Sequence, residues 1–309
     1  MTYSIIIPVY NEEENVYMLY ERLTGVLEKL SPEFELLFVN DGSKDKTFSL
    51  VKALSVTDSR VKYINLSRNF GHQIAVSAGL DASVGKRIVI IDADLQDPPE
   101  LILEMDQKMN DGFQVVYARR RKRQGESLSK LLTARLFYRI LANIASIDIP
   151  LDTGDFRIMD RKVVDVLKAM PEQNKFLRGQ ISWIGFRQTF VEYDRSERHG
   201  GKTGYTYAKM IRFALDGITS FSDAPLRLAS WMGFVVSGFA FLALIYAFWG
   251  KFILHQSVPG WASIIVSVLF LGGIQLLSLG FIGEYLSRIS ANVKQRPLYI
   301  VDETNTGKE

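Results

Sequence analysis

Two stretches of the 309-residue chain, Leu228–Trp249 and Trp261–Gly283, run without a single charged side chain. At about 1.5 Å per residue each would form a helix roughly 33 Å long, enough to cross a bilayer core of about 30 Å. Soluble helices seldom stay uncharged on every face for that length, so two membrane spans are expected rather than a buried helical pair. The bulk composition hides this division. At 47% hydrophobic and 23% charged the chain reads as soluble, because its apolar residues are concentrated toward the C-terminus.

Flanking charge sets the expected orientation. Arg212 and Arg227 precede the first span and Arg288, Lys294 and Arg296 follow the second, whereas Gly250–Gly260 carries only Lys251 and His255. By the positive-inside rule both ends face the cytoplasm. The first eight residues, Met1 to Pro8, lack the features of a signal peptide, so the polar bulk is expected to stay on that side of the inner (cytoplasmic) membrane. With no cysteine, disulfides and thiolate metal sites are excluded, and the three histidines show no ligand spacing. A net charge of +3 is too small to argue for nucleic acid.

From Tyr3 to Tyr117 short apolar runs alternate with helical patterns, the mark of an α/β wound sheet. Strands are expected at Tyr3–Val9, Phe34–Val39, Val61–Asn65, Arg87–Ile91 and Gln114–Tyr117. Helices are expected near Asn15–Leu30, Thr47–Ser55, Gln73–Ala82 and Pro98–Asn110. Later come a basic loop from Arg119, a helix over 128–145, polar strands at Thr153–Met159 and Arg187–Tyr193, and a glycine-containing basic loop at 195–204. An amphipathic helix near 205–221 is suited to the membrane surface or to packing on the catalytic domain. The expected division is a cytoplasmic domain over 1–204, a juxtamembrane segment over 205–224, two spans with a short loop over 225–287, and a cytoplasmic tail over 288–309. Within that tail Arg296–Val301 reads as a short strand that adds to a sheet, its own or a neighbour's. Gly272-Gly273 and Gly280/Gly283 permit close helix contact and make a homo-oligomer plausible.

Candidate chemistry sits where strands end. In an open sheet ligands collect at the carboxyl ends of strands, and Tyr10-Asn11-Glu12-Glu13, Asn40-Asp41-Gly42-Ser43, Ser67-Arg68-Asn69-Phe70-Gly71 and the Asp92/Asp94 pair all fall there. Asp92 and Asp94 are two apart after the apolar run Ile88-Val89-Ile90-Ile91, so on extended chain both carboxylates face one way. Two converging anions call for a divalent cation, and oxygen-only ligands favour Mg²⁺ or Mn²⁺ over zinc.

These motifs, with Ile7-Pro8-Val9-Tyr10-Asn11-Glu12-Glu13, Val39 to Thr47 and Asp92-Ala93-Asp94-Leu95-Gln96 in order, resemble the GT-A family 2 glycosyltransferases. Asn69-Phe70-Gly71-His72-Gln73, Asp92 to Glu100, Gly154-Asp155-Phe156-Arg157 and Pro225-Leu226-Arg227 are similar to the polyprenyl-phosphate, bactoprenol glucosyltransferase type with two C-terminal spans, itself similar to the dolichol-phosphate mannose synthases. The resemblance implies a GT-A nucleotide-sugar-binding sheet followed by two membrane helices, and a metal-dependent enzyme moving a hexose from a nucleotide sugar to a polyprenyl phosphate. It implies that Pro8, Tyr10, Glu12 and Asp41 hold the nucleoside. Asp92 and Asp94 would hold Mg²⁺ or Mn²⁺, with Ala93 lining the donor site, and Gln96 would contact donor sugar or acceptor. Arg119, with Arg123 and Arg135 behind it, would take the acceptor phosphate. Arg195, Arg198 and Lys202 would close over the donor diphosphate. The family's Gly-x-Ser-Lys-Tyr stands here as Gly201-Lys202-Thr203-Gly204-Tyr205, with the lysine two places early. Asp155 is the base a sugar-hydroxyl acceptor would need. For a phosphate acceptor the alternatives are tuning the acceptor site, or orienting a sugar hydroxyl or a nearby arginine.

Other readings fit less of the chain. A processive synthase would show Gln-x-x-Arg-Trp, and Gln180-Ile181-Ser182-Trp183 lacks both the arginine and the spacing. A membrane-tethered transferase acting on a carbohydrate hydroxyl and a non-catalytic nucleotide-sugar binder stay open. Two spans with Gln275 as their lone amide cannot line a transport path.

Overall fold

The structure, a computed structural model, describes residues 1–121, 153–194, 222, 224–252 and 260–307. Its centre is a parallel set of strands, β1 (Tyr3–Val9), β2 (Phe34–Asn40), β3 (Val61–Leu66) and β4 (Arg87–Ile90). They are linked in turn by α1 (Val16–Leu27), α2 (Thr47–Thr57) and α3 (His72–Ala82), and α4 (Leu101–Asn110) leads on to β5 (Val115–Arg120). β6 (Thr153–Asp160) runs antiparallel between β4 and β5, and β7 (Gln188–Tyr193) lies parallel to β5 at one edge. At the other edge β8 (Val301–Thr304) pairs antiparallel with β3, giving the order β7-β5-β6-β4-β1-β2-β3-β8.

Strand alternation builds two cores, one on each face of this sheet. Ile5, Ile7, Leu36 and Phe38 pack with α1, α2 and α4, while Ile6, Leu37 and Val39 pack with α3. The second face is completed by α5 (Arg161–Ala169) and α6 (Leu177–Ile184). Gly79 lets α3 lie unusually close to β1, because a Cβ there would come 2.3 Å from Cγ2 of Ile6. That close packing fixes where the N-terminus of α3 ends up, beside the carboxyl ends of β1 and β4.

The two apolar runs form α7 (Ala224–Phe252) and α8 (Trp261–Lys294). Each contains a stretch long and apolar enough to cross a bilayer, and neither stretch is buried within the protein. Apolar helices of this length, with large side chains such as Phe234 and Leu276 mostly exposed, suit a lipid environment and point to membrane association. α8 is about 51 Å long at 1.5 Å per residue, well beyond a bilayer core of about 30 Å. Its far end touches the catalytic sheet domain, where the Asn292 side chain accepts a hydrogen bond from the Gln173 backbone N–H (3.0 Å).

Three differences from the expected elements have physical causes. Arg119 and Arg120 belong to β5 rather than to a loop, because their side chains find partners on β7. α5 and α6 lie in polar sequence where no helix is expected, yet α5 buries Val163, Val164 and Leu167 at helical spacing and is capped by Asp160, which accepts from the Lys162 N–H. The tail strand is Val301–Thr304 rather than Arg296–Val301, and it adds to the chain's own sheet. The helix expected over 128–145, the loop over 195–204 and the amphipathic helix over 205–221 lie outside the described residues.

Candidate active site

At the carboxyl ends of β1, β2 and β4 lies a crevice of about 370 Å³, lined by Pro8, Val9, Tyr10, Glu12, Asp41, Asn69, Gly71, His72, Ala75, Asp92, Ala93, Asp94 and Asp155. Asp41 follows β2 and is almost fully buried. Its two carboxylate oxygens accept from the backbone N–H groups of Phe70 (2.7 Å) and Gly71 (3.0 Å), which pins the Ser67–Gly71 loop over the sheet end. Gly42, at φ +66°, sits directly against that loop, and a Cβ there would lie 2.5 Å from the Arg68 carbonyl carbon. Tyr10 stands exposed at the mouth, and the Glu12 carboxylate is held by the Asn15 amide (2.6 Å).

Asp92 and Asp94 follow β4 immediately. The last ladder bond, from the Ile91 N–H to Ile6 O, delivers Asp92 to the crevice floor. The chain then turns sharply at Leu95, whose φ of +57° is a left-handed conformation, and the Gln96 N–H donates to Oδ1 of Asp94 (3.2 Å). Oδ1 of Asp92 is buried and makes no hydrogen bond. Burial pushes the Asp92 carboxyl up to about 6, against the pull of the nearby His72. A buried carboxylate oxygen without a donor, beside a second carboxylate, is the donor set that suits a hard divalent cation. Among the described residues no group of three or more acidic or histidine side chains could hold a metal ion. Mg²⁺ and Mn²⁺ fit that arrangement, since such ions are commonly held by one or two carboxylates with phosphate oxygens and water completing the shell.

Asp155 closes the crevice from β6, and both its oxygens are taken. Oδ1 accepts from Nε of Arg178 (2.9 Å), while Oδ2 accepts from Nε2 of Gln73 (3.2 Å) and lies 3.0 Å from Nε2 of His72. The buried guanidinium of Arg157 stands 3.6 Å away. Burial alone would raise the Asp155 carboxyl, but Arg178, His72 and Arg157 hold it well below the usual carboxylate range. His72 feels the reverse. Burial opposes its charge, yet the bond to Asp155 and the carboxylates of Asp92 and Asp155 raise it to about 9, so it is an imidazolium at neutral pH. Its Nε2 lies 3.6 Å from Oδ1 of Asp92.

Behind the Asp92/Asp94 turn, Asp97 is buried and accepts from the Tyr193 hydroxyl at the end of β7. Nε of Arg120 donates to the same hydroxyl (3.2 Å), which ties the turn to the ends of β5 and β7. Arg119 points elsewhere. Its guanidinium donates to Glu192 (Nε, 3.1 Å) and stacks 3.5 Å over Phe190.

Residues 4–167, which carry the parallel strands, the Asp92/Asp94 turn and Asp155, match the model of glycosyl transferase family 2. The chain belongs to glycosyl transferase family 2. Among its relatives is the uncharacterized glycosyltransferase YkcC of Bacillus subtilis (strain 168), 53% identical over 302 residues that cover 98% of this chain and 94% of the relative. The prophage bactoprenol glucosyl transferase homolog of Escherichia coli (strain K12) is 42% identical, covering 97% and 98% of the two chains. The bactoprenol glucosyl transferase of Shigella phage SfII is 40% identical, covering 99% of each.

In this family 2 glycosyltransferase the crevice gathers Pro8, Tyr10, Glu12, Asp41, Asp92, Ala93, Asp94 and Asp155. Gln96 and Arg119 are not among its lining residues. Arg123, Arg135, Arg195, Arg198 and Lys202 lie outside the described residues. The sequence marks His72 and Gln73 only as part of the motif Asn69-Phe70-Gly71-His72-Gln73, with no role for either, and does not mark Arg178. The first two follow Gly71 at the start of α3, a position that only the fold shows to be beside Asp155, 83 residues away in the chain for His72. Arg178 has a weaker signal still, since α6 itself is not expected from the sequence.

Proposed function

We propose that the protein transfers a glucosyl unit from UDP-glucose to a polyprenyl phosphate such as undecaprenyl phosphate, inverting the anomeric centre, at the cytoplasmic face of the membrane. The observation that carries this reading is the extent of the similarity to bactoprenol glucosyl transferases, which runs through both the catalytic sheet and the two membrane helices. An oxygen of the lipid phosphate attacks C1 of the sugar. The bond from C1 to the diphosphate oxygen breaks, and UDP leaves. A phosphate monoester has a second pKa near 6 and is already an anion at neutral pH, so it needs no base to deprotonate it. Asp155, fully engaged by Arg178, Gln73 and His72, suits that chemistry better than proton abstraction from a sugar hydroxyl. Asp92 and Asp94 are the residues that would hold a divalent cation, and such an ion offsets charge on a departing diphosphate. His72 adds a fixed positive charge at the same end of the crevice.

Geometry explains the membrane helices. An acceptor phosphate stays in the headgroup layer, and the contact between Asn292 and Gln173 holds the catalytic domain against the part of α8 beyond its apolar run. Holding both reactants in that layer raises their effective concentration. Deleting the helices is a poor test, because it also deletes β8. Shortening the acceptor is cleaner. Full-length protein in vesicles is expected to use undecaprenyl phosphate with a KM about 100-fold below that for a short, water-soluble polyprenyl phosphate, and to leave free sugars unglycosylated. Efficient transfer to a free sugar hydroxyl, with none to the lipid phosphate, would overturn this reading in favour of the hydroxyl-acceptor enzyme.

A further inference from the structure

The strand β8 does more than cover the β3 edge. It is anchored by side chains of Tyr63, whose hydroxyl donates to Glu303 (2.7 Å) and whose backbone N–H donates to the Asn305 side chain (2.7 Å). Upstream, the Ser67 N–H donates to Ile300 O (3.0 Å) and the Tyr299 hydroxyl donates to Asp81 on α3 (3.0 Å). The ladder is irregular in one place. Asn65 pairs with Glu303 and Leu66 with Val301, so Asp302 is an extra residue with no register partner. A bulge of this kind re-aims a side chain.

Asp302 is exposed and stands at one end of a line of polar groups that reaches the turns beside the crevice. Its Oδ2 accepts from Nδ2 of Asn65 (3.0 Å), and Oδ1 of Asn65 accepts from Nδ2 of Asn40 (2.7 Å), its register partner on β2. Oδ1 of Asn40 then accepts from the Ser43 N–H (3.3 Å), and the Ser43 hydroxyl accepts from the Asn11 N–H (3.0 Å). Oδ1 of Asn11 completes the line by accepting from the Lys44 N–H (2.9 Å). These last residues form the two turns that carry Tyr10, Glu12 and Asp41 into the crevice.

The polarity of the line is set at both ends, by the Ser43 N–H, which only donates, and by the Asp302 carboxylate. An asparagine amide can present either its oxygen or its nitrogen, so Asn65 and Asn40 could flip together and turn an NH₂ toward the Ser43 N–H. A carboxylate only accepts. Asp302 therefore anchors Asn65 with its amide donating outward, which presents the Asn65 oxygen to Asn40 and reinforces the orientation in which the Asn40 oxygen faces Ser43. We infer that Asp302, on the strand that follows the second membrane helix, is a positioning residue for the nucleotide-sugar donor: through Asn65 and Asn40 it holds the Asn11 and Asp41–Ser43 turns in their binding geometry.

The inference rests on the proposed use of a nucleotide sugar, and its test separates the two. Full-length wild type, Asp302→Ala and Asp302→Asn are compared for donor KM, acceptor KM and kcat, and by hydrogen exchange at the Ser43 amide. Asp302→Ala is expected to raise the UDP-glucose KM about three- to tenfold, the worth of one lost hydrogen bond, with kcat and acceptor KM within about twofold. The Ser43 amide should exchange faster in this variant while amides inside β1 and β2 do not. Asp302→Asn, which can still present an oxygen to Asn65, should restore most of the donor affinity. The idea is overturned by an unchanged donor KM in Asp302→Ala, by a loss confined to kcat as expected of a smaller folded fraction, or by unchanged exchange at Ser43. A wild type that uses no nucleotide sugar would defeat the functional reading instead, and exchange at Ser43 would then decide the relay alone.

Discussion

Asparagine at Asp92 or Asp94 is expected to lower glucosyl transfer by about a thousandfold or more while stability moves the other way for Asp92. The rate loss follows from removing a ligand of the charge that offsets the departing diphosphate, an electrostatic contribution that a low-dielectric crevice magnifies. The stability gain follows from burial. In the metal-free protein the Asp92 carboxyl is pushed to about 6 from an ordinary 3.8, with one oxygen buried and without a hydrogen bond. Because the folded value lies above the unfolded one, ionised Asp92 destabilises the fold. The penalty is absent below the unfolded value of 3.8, grows as pH rises from there to the folded value of about 6, and is complete above it. Asp92→Asn removes it, for a gain of about 1 to 3 kcal/mol at pH 7.5, read as a higher thermal midpoint in chelator. Mn²⁺ with UDP should raise the midpoint of wild type but not of the variant. A variant that is less stable than wild type in chelator, or equally active, contradicts this assignment.

The second large effect is expected at Asp155. Replacing it with alanine leaves Arg178, Arg157 and His72 facing each other without their shared anion, which should cost about 3 to 5 kcal/mol of stability. The isosteric Asp155→Asn keeps the acceptor oxygen and is the better kinetic probe. Its rate should fall about a hundredfold through misplacement of His72 and the crevice wall. Asp155 is held well below the usual carboxylate range, so its share of stability is fully present above about 3.8 and is lost only as pH falls through its lower folded value. No feature of the pH–rate profile between about pH 5 and 8 should then belong to it. An ascending limb near 6 is expected from the acceptor phosphate, and it should persist in Asp155→Asn. A limb that disappears with that substitution would make Asp155 a general base after all.

What could be read from residues alone depended on how local the cause was. The parallel strands are visible because their apolar runs are continuous, as in Ile5-Ile6-Ile7 and Leu36-Leu37-Phe38, and both neighbours of each residue are buried. The crevice carboxylates are visible because they directly follow such runs. β8 lies beyond the expected strand because its residues, Asp302, Glu303 and Thr304, are polar and are held by the Asn65 side chain, the Tyr63 hydroxyl and the Tyr63 carbonyl, each 237 or more residues away. α5 and α6 are short and amphipathic in a polar region, where packing on α3 decides the conformation. His72 stands in a motif that the sequence shows, but its contacts do not, since they come from Asp155 and Asp92 and not from its neighbours in sequence. Arg119, which the family resemblance assigns to the acceptor phosphate, donates to Glu192 and stacks on Phe190, contacts that local sequence does not show.

The central claim is tested most directly by supplying full-length protein in membranes with undecaprenyl phosphate and labelled UDP-glucose, then following label into the organic phase. Label should appear with Mg²⁺ or Mn²⁺, stop on adding chelator and return when the ion is restored. Organic-phase label that continues unabated in chelator, or none under any ion with any nucleotide sugar, would contradict it.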